Sequence, residues 1–503
     1  MKRTGLKRIA AMFLAVLFVV AMFSMTASAD ARISAHDKGS ITVTNVTDNA
    51  TATAYKIMNV KYDYDANQPA DPEYFWADEV KDFIKNNYPQ YINADNSVNE
   101  ENYTQLNTSA DNAKSFFADL AANVKNGTIV LTGSANGAGN TTISNLEIGT
   151  YLVLIEGGVK IYQPIAVNVI PKYNDATGNW EIDNQTITDT KSTLPEITKA
   201  VDVKNITINT KATYTIDATI PSYPANATAN SFVVSDKLPT GLTYNGDIKV
   251  YGMTGDVPSE LTANTHYTLT TGSADVDYTI SFKYDQIKTY TKVRIVYSAT
   301  ANKGIVLGVT GNTNTAYLNY NNSPYNTSSW TEKTANAKIY SFGFDITKVA
   351  KEDNNTTLSG AEFELRDTAD GAAYSLVKTA DGKYRVADAT DVDTVTTVAV
   401  DTNGNLIIDG LKAGKYYLKE TKAPAGGYRV PSKAFEIEIK DDNNDGKEDV
   451  SGTAYAEVKI ENSKGFELPS TGGMGTIMFT VGGIVLIALG FGLLLVIRKR
   501  RAA

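Results

Sequence analysis

The sequence predicts a mainly β protein of three tandem β-sandwich modules, and three observations carry that prediction. Between the two ends of the 503-residue chain, Thr, Asn, Val, Ile and Tyr dominate and helical periodicity is scarce. Short alternating runs recur, such as residues 214–220 and 292–297, with clusters of Asn, Gly, Asp and Pro between them. Finally, Ile197-Thr198-Lys199 returns as Ile346-Thr347-Lys348, 149 residues later, and Asn314 has a counterpart in Asn462, 148 residues later. Length alone suggests about three domains. The matched offsets place them at residues 30–192, 193–340 and 341–464, between terminal segments 1–29 and 465–503.

The first terminal segment has a basic start at Lys2, Arg3, Lys7 and Arg8, an apolar stretch from Ile9 to Phe23, and the small-residue pattern Ala27-Ser28-Ala29. That is the organisation of a secretory signal peptide, with removal expected after Ala29. Residues 30–192 follow as a β module with one departure. Phe75-Trp76, Val80, Phe83-Ile84, Phe116-Phe117, Leu120 and Val124 are spaced for two or three short helices within 72–125, inserted on the β framework.

Composition excludes several chemistries. The chain has no Cys, which removes disulfides, thiolate metal sites and Cys nucleophiles together. His36 and His266 are its only histidines, too few for a His-rich metal site, and no nucleophile–base pairing supports a secreted hydrolase. The formal charge is −9. Eight of the 47 bases lie in 1–29 and 472–503, which hold no acid, so the segment between them carries 39 bases against 56 acids, a net −17. An acidic chain of this kind is not built to bind nucleic acid. No cofactor is implied.

Strand alternation places residues i, i+2 and i+4 on one face. On that count six polar residues point inward. In 341–464, Lys348 continues the face of Phe342, Phe344 and Ile346; Glu420 continues that of Tyr416 and Leu418; Asn462 continues that of Ala456, Val458 and Ile460. In 193–340, Ile197 and Val201 flank Lys199, Val234 and Leu238 flank Asp236, and Asn314 precedes Ala316 and Leu318, with Asn312 in the same phase. Each module therefore aims one Lys, one acid and one Asn into its core. Buried charges left unpaired cost several kcal/mol, roughly, so such groups must be partnered or chemically changed. A buried Lys loses its proton and becomes a nucleophile; a buried carboxyl keeps its proton and donates a hydrogen bond. A protonated acid that polarises the Asn carbonyl lets the amine attack it, leaving a Lys–Asn isopeptide bond and ammonia in a single turnover.

The C-terminal segment reads Leu468-Pro469-Ser470-Thr471-Gly472, then an apolar stretch over 475–497, then a basic tail at 498–501. The apolar stretch is about 34 Å long as a helix, enough to cross a bilayer. The basic cluster would remain cytoplasmic, with the large segment outside. The three parts together resemble the LPxTG cell-wall sorting signal of Gram-positive surface proteins. The resemblance implies that a sortase cleaves after Thr471 and joins it to an amine.

A second resemblance covers nearly the whole exported chain. Residues 417–428, with Leu418, Glu420, Thr421, Ala423, Pro424 and Tyr428, resemble the E-box of sortase-assembled major (backbone) pilins, with one extra Gly before Tyr428. Residues 311–320, followed by Asn-Asn-Ser-Pro, resemble the last strand of the fimbrial isopeptide-forming middle domain. These resemblances imply immunoglobulin-like modules of the collagen-adhesin A and B types, stacked as an elongated rod. They imply a Lys199–Asn314 bond assisted by Asp236, with Asn312 as the alternative, and a Lys348–Asn462 bond assisted by Glu420. Subunits of the family are joined from the sorting-signal Thr to a Lys of the next copy, and the wall-anchored fibre carries minor and tip pilins. Its partners are therefore pilin-class and housekeeping sortases, other copies of itself and peptidoglycan, with host ligands left open.

The acceptor motif of the family is only half present. Val167, Val169, Pro171 and Lys172 match, while Gln163 and Ile170 replace its Trp and Tyr. Ile165, Val167 and Val169 share one face and Lys172 falls on the other, an outward position that suits an acceptor as well as an ordinary surface lysine, so the resemblance implies Lys172 as the acceptor, with Lys160 and Lys191 behind it. Asp441, Asn443, Asp445 and Gly446 echo the start of a calcium loop, but the twelfth position is Gly452, and a polar hairpin turn fits better. The twenty-nine tyrosines suggest packing within sandwiches rather than a sugar-binding face. A monomeric wall-anchored adhesin is the competing function.

Overall fold

The computed structural model describes residues 32–108 and 110–465, with isolated positions 487 and 489. The expected signal peptide, the sorting pentapeptide Leu468–Gly472, the apolar stretch 475–497 apart from those two positions, and the basic tail lie outside the described residues. Among the described residues no helix is long and apolar enough to cross a membrane.

The N-terminal module is built on a sheet in which the strands Gln68–Trp76, Ala50–Asp63, Gly149–Gly157 and Ile165–Val169 lie side by side. A smaller sheet of Gln185–Ile187, Gly39–Val43 and Thr141–Leu146 covers one face. Leu152 and Leu154 of the central strand pack with Ile57 against Val80, Ile84, Phe116, Phe117 and Leu120 of the helices Asp78–Asn87 and Ala110–Lys125. Tyr151, Val153 and Ile155 face Ile41, Val43 and Ile143 of the smaller sheet. Covered on both sides, this strand has no polar face, which is why Tyr151–Ile155 is continuously apolar. The helices fall within the inserted segment expected from the sequence. Phe75 and Trp76, however, end the strand Gln68–Trp76 rather than begin a helix. Trp76 still packs in the helical core, its indole donating to the Tyr91 carbonyl at 2.9 Å.

The middle module is a sandwich of two antiparallel sheets. One orders the strands Ile197–Val201, Lys211–Thr219, Lys292–Ala301, Lys249–Thr254 and Val257–Glu260. The other orders Tyr267–Thr271, Tyr278–Phe282, Phe232–Lys237, Asn312–Asn321 and Trp330–Ile339. The C-terminal module again has two sheets. Leu376–Ala380, Lys383–Val386, Asn405–Leu411, Phe342–Ala350 and Tyr455–Asn462 form one; Val398–Ala399, Glu362–Arg366, Gly414–Lys422 and Phe435–Ile439 form the other. Its first and last long strands, Phe342–Ala350 and Tyr455–Asn462, run parallel as neighbours.

The modules are joined by more than a chain crossing. At the first joint the Asn322 side-chain amide donates to the Gly158 carbonyl and the Tyr320 hydroxyl to that of Val159, both at 2.7 Å. At the second, a loop from the middle module inserts Ile208 into the C-terminal core, and its backbone N–H donates to Gly410 at 2.9 Å. Gly410 has φ +85° and lies so close that a Cβ there would stand 2.3 Å from Ile208. Only glycine meets both demands.

Candidate cross-linking sites

The period-2 reading places all six inward polar residues correctly in their strands, and folding gathers them into two clusters. In the middle module, Lys199 sits on the edge strand Ile197–Val201. Its backbone is partly open to solvent, but its side chain is fully buried, as is that of Asp236. The amine donates to an Asp236 carboxylate oxygen, to Asn314 Oδ1 at 2.7 Å and to the Tyr297 hydroxyl at 3.0 Å. An ammonium or amine needs acceptors, so the amide turns its oxygen toward Lys199 and its nitrogen toward Tyr297. Asp236 and Asn314 belong to one sheet, on the adjacent strands Phe232–Lys237 and Asn312–Asn321, where Asp236 opposes Ala316. Lys199 reaches them from the other sheet. The pair Lys199–Asn314 therefore bridges the sandwich.

Burial sets the electrostatics. Desolvation brings the Lys199 amine down to about 8, opposed by the Asp236 charge, and pushes the Asp236 carboxyl up to about 6, opposed by Lys199. Burial thus brings the neutral pair closer to the ion pair than it is for the two free side chains in water. In its neutral form the pair sets a nucleophilic amine beside a protonated acid, in contact with an amide.

The C-terminal cluster reaches the same chemistry by another route. Lys348 and Asn462 lie on neighbouring parallel strands of one sheet, where Lys348 opposes Ile460 and Ala350 opposes Asn462. The buried Lys348 amine donates to Asn462 Oδ1 at 2.5 Å and to the Ile460 carbonyl at 3.0 Å. Glu420 comes from the opposite sheet, on Gly414–Lys422. Its Oε1 accepts from Asn462 Nδ2 at 2.6 Å, while Oε2 stands 3.7 Å from the amine with no hydrogen-bond partner. Desolvation lowers Lys348 to about 8 and raises Glu420 above the usual glutamate value, each opposed by the partner's charge. An acid hydrogen-bonded to the Asn carbonyl is the arrangement expected from sequence, and the geometry differs in both modules. Oδ1 is taken by the amine, and each acid addresses either the amine or the nitrogen side of the amide.

Asn312 is not at the cluster. Its amide accepts from the Val306 N–H at 3.0 Å and donates to the Val306 carbonyl at 2.8 Å, so it serves a loop. Tyr297 is the residue that sequence reasoning missed. It reads as an ordinary inward strand aromatic, and only the pairing Tyr214↔Tyr297 and the approach of the second sheet place its hydroxyl among the three polar groups. Among the described residues of the N-terminal module the buried polar side chains are Asn67, Ser97, Thr150, Gln163 and Thr190, with no Lys or acid.

Lys172 is on the strand Pro171–Asn174, which forms a two-stranded hairpin with Asn179–Ile182. Its side chain is 69% exposed, facing Glu181 across the hairpin and 3.9 Å from Asp183. Lys160 and Lys191 are half-buried. In the Asp441 loop, Asp441 Oδ1 accepts from the Asp445 N–H at 3.0 Å, Asn444 and Gly446 take positive φ, and Glu448 caps the following N–H groups of Val450 and Ser451. These are turn contacts, and among the described residues no cluster of three acidic or histidine side chains is arranged to hold a metal.

Taken together, the described residues form a chain of β modules, with one Lys–acid–Asn cluster buried in each of the middle and C-terminal ones. Residues 344–453 match the family of prealbumin-like fold domains, and residues 460–503 match the LPXTG cell wall anchor motif. The chain is 24% identical over 461 residues to the trypsin-resistant surface T6 protein of Streptococcus pyogenes serotype M6, covering 72% of this chain and 81% of that one. It is also 24% identical over 408 residues to fimbrial subunit type 1 of Actinomyces viscosus, covering 72% and 75%. The solved structure of the T6 backbone pilin of S. pyogenes, described as modular with three domains, superposes with a TM-score of 0.56 at 20% identity, over 86% of this chain and 100% of that one. The chain thus carries the wall anchor of Gram-positive surface proteins and the fold of a backbone pilin.

Proposed function

We propose that the chain is the shaft subunit of a covalent cell-surface pilus, divided into modules 30–192, 193–340 and 341–464 and held to peptidoglycan through Thr471. A pilin-class sortase joins Thr471 of one subunit to Lys172 of the next, and each of the two later modules locks itself with one Lys–Asn isopeptide bond. The protein is a substrate of sortase and acts as a catalyst only on itself, once per bond. The observation that carries this reading is the pairing of a wall-anchor motif with two separately built Lys–acid–Asn clusters, each buried in a sandwich. The exposure of Lys172 on a two-stranded hairpin supports it as the acceptor. Lys199–Asn314 and Lys348–Asn462 would close loops of 115 and 114 residues. By loop-closure entropy each is worth about 5 kcal/mol.

Denaturing gels of wall extracts test the polymer. A high-molecular-weight ladder that collapses to monomer in Lys172→Ala is the expected result. A ladder that survives moves the acceptor to Lys160 or Lys191, and a wild-type monomer favours the wall-anchored adhesin instead. The intact mass of residues 30–471 tests the bonds independently, since two closures remove two ammonia masses.

A further inference from the structure

We propose that Tyr297 is a catalytic residue of the middle module, relaying the proton that turns the Asn314 amide nitrogen into departing ammonia. This rests on the cross-linking reading above and assigns a part of the reaction that the Lys–acid–Asn triplet leaves unfilled. The attacking amine must lose a proton and the leaving nitrogen must gain one. In the C-terminal module one carboxyl spans that distance, with Glu420 Oε1 on Asn462 Nδ2 and Oε2 toward Lys348 Nζ. Asp236 is one methylene shorter. It holds the Lys199 amine through one oxygen, and its other oxygen meets the Tyr297 hydroxyl at 2.9 Å instead of the amide. The Tyr297 hydroxyl bridges onward, 2.7 Å from Asn314 Nδ2. Asp236 and Tyr297 in series therefore cover the span that Glu420 covers by itself.

The step balances. Neutral Lys199 Nζ bonds to Asn314 Cγ, and the amide nitrogen, no longer conjugated, becomes basic. Asp236 takes a proton from Nζ on Oδ2 and gives the one on Oδ1 to Tyr297, which passes its own proton to Nδ2. The Cγ–Nδ2 bond breaks, ammonia leaves, and both Asp236 and Tyr297 end as they began. Burial holds the Tyr297 hydroxyl far above its usual titration range, so it works by accepting and donating together, never as a phenolate. Its ring is fixed for this role, stacked on Tyr214 at 5.4 Å and edge-on to Tyr278 at 5.2 Å and Tyr244 at 5.9 Å.

The chain carries its own control, because the C-terminal cluster has no such hydroxyl. Unreacted chain of residues 30–471, dissolved from inclusion bodies in urea and refolded by dilution, is followed by intact mass and peptide mapping. Wild type should lose two ammonia masses. Tyr297→Phe should close Lys348–Asn462 at the wild-type rate while Lys199–Asn314 closes roughly 100-fold more slowly or worse. Equal rates for both bonds in the variant overturn the relay, whereas a wild type that loses no ammonia overturns the cross-linking reading itself. Fluorotyrosine placed at position 297 keeps the shape and changes only the acidity of the hydroxyl, so it also serves if Tyr297→Phe misfolds. A relay makes the middle-module rate follow that acidity with the C-terminal rate constant; a middle-module rate that ignores it reduces Tyr297 to a structural part.

Discussion

The two clusters hold the same three side-chain types in opposite topologies. In the middle module the lysine crosses from one sheet to an asparagine and an acid on the other, so a bond would pin the sandwich shut. In the C-terminal module lysine and asparagine sit on adjacent parallel strands of one sheet, and the acid reaches across. The lesson is that different sheet topologies can bring an amine, a carboxyl and an amide together in a dry site. Which strands supply them is free to vary, and the mechanical consequence varies with it.

The largest expected effect breaks one side of this comparison. Glu420→Ala should restore one ammonia mass and leave the other module closed. Calorimetry should then show the C-terminal module melting apart from the rest, having lost about 5 kcal/mol of loop-closure stabilisation. A variant that still loses both ammonia masses would move the acid to another residue.

Force sharpens the contrast next. Closing Lys348–Asn462 ties the first strand of its module to the last, leaving almost nothing to extend. Closing Lys199–Asn314 leaves residues 315–340 outside the loop, including the edge strand Trp330–Ile339. Single-molecule pulling should therefore release a step of roughly 90 Å at most from the middle module, and no comparable step from the C-terminal one. Steps of equal size in both would refute the topological account.

The pH dependence is a smaller effect. With Asp236 at about 6 and Lys199 at about 8, the pair carries one proton between those values, and the reactive tautomer is a constant fraction of it. Below about 6 both groups are protonated and the amine is blocked; above about 8 both are deprotonated and the acid is gone. The refolded chain should close Lys199–Asn314 at a flat rate between the two and more slowly on either side. A rate rising steadily with pH would mean that amine deprotonation alone controls the step.

The smallest effect separates two neighbours of one strand. Asn312→Ala removes the hydrogen bonds to Val306 and should cost about 1–3 kcal/mol in a thermal melt, with both ammonia masses still lost. Loss of the middle cross-link in that variant would return Asn312 to the reaction.

How much was legible follows from the range of each signal. Alternation with period two is local, so Lys199, Lys348, Glu420 and their companions could be recognised as inward-pointing from their immediate neighbours. The same periodicity could not choose between Asn312 and Asn314, which share a phase. That choice was made by where the Val306 loop and the lysine strand arrive. Phe75 and Trp76 misled because an aromatic pair that ends a strand and covers a helix has the same local spacing as one that begins a helix.

By itself the sequence determined the β-rich fold, the wall-anchor motif and the six inward polar residues, because composition and short periodicities are properties of contiguous chain. Only the tertiary structure decided that one lysine bridges sheets and the other joins neighbours, and that Asp236 meets its amide through Tyr297. Those facts depend on which distant strands pair and in what register, a choice made by the packing of whole sheets and written in no single stretch of residues.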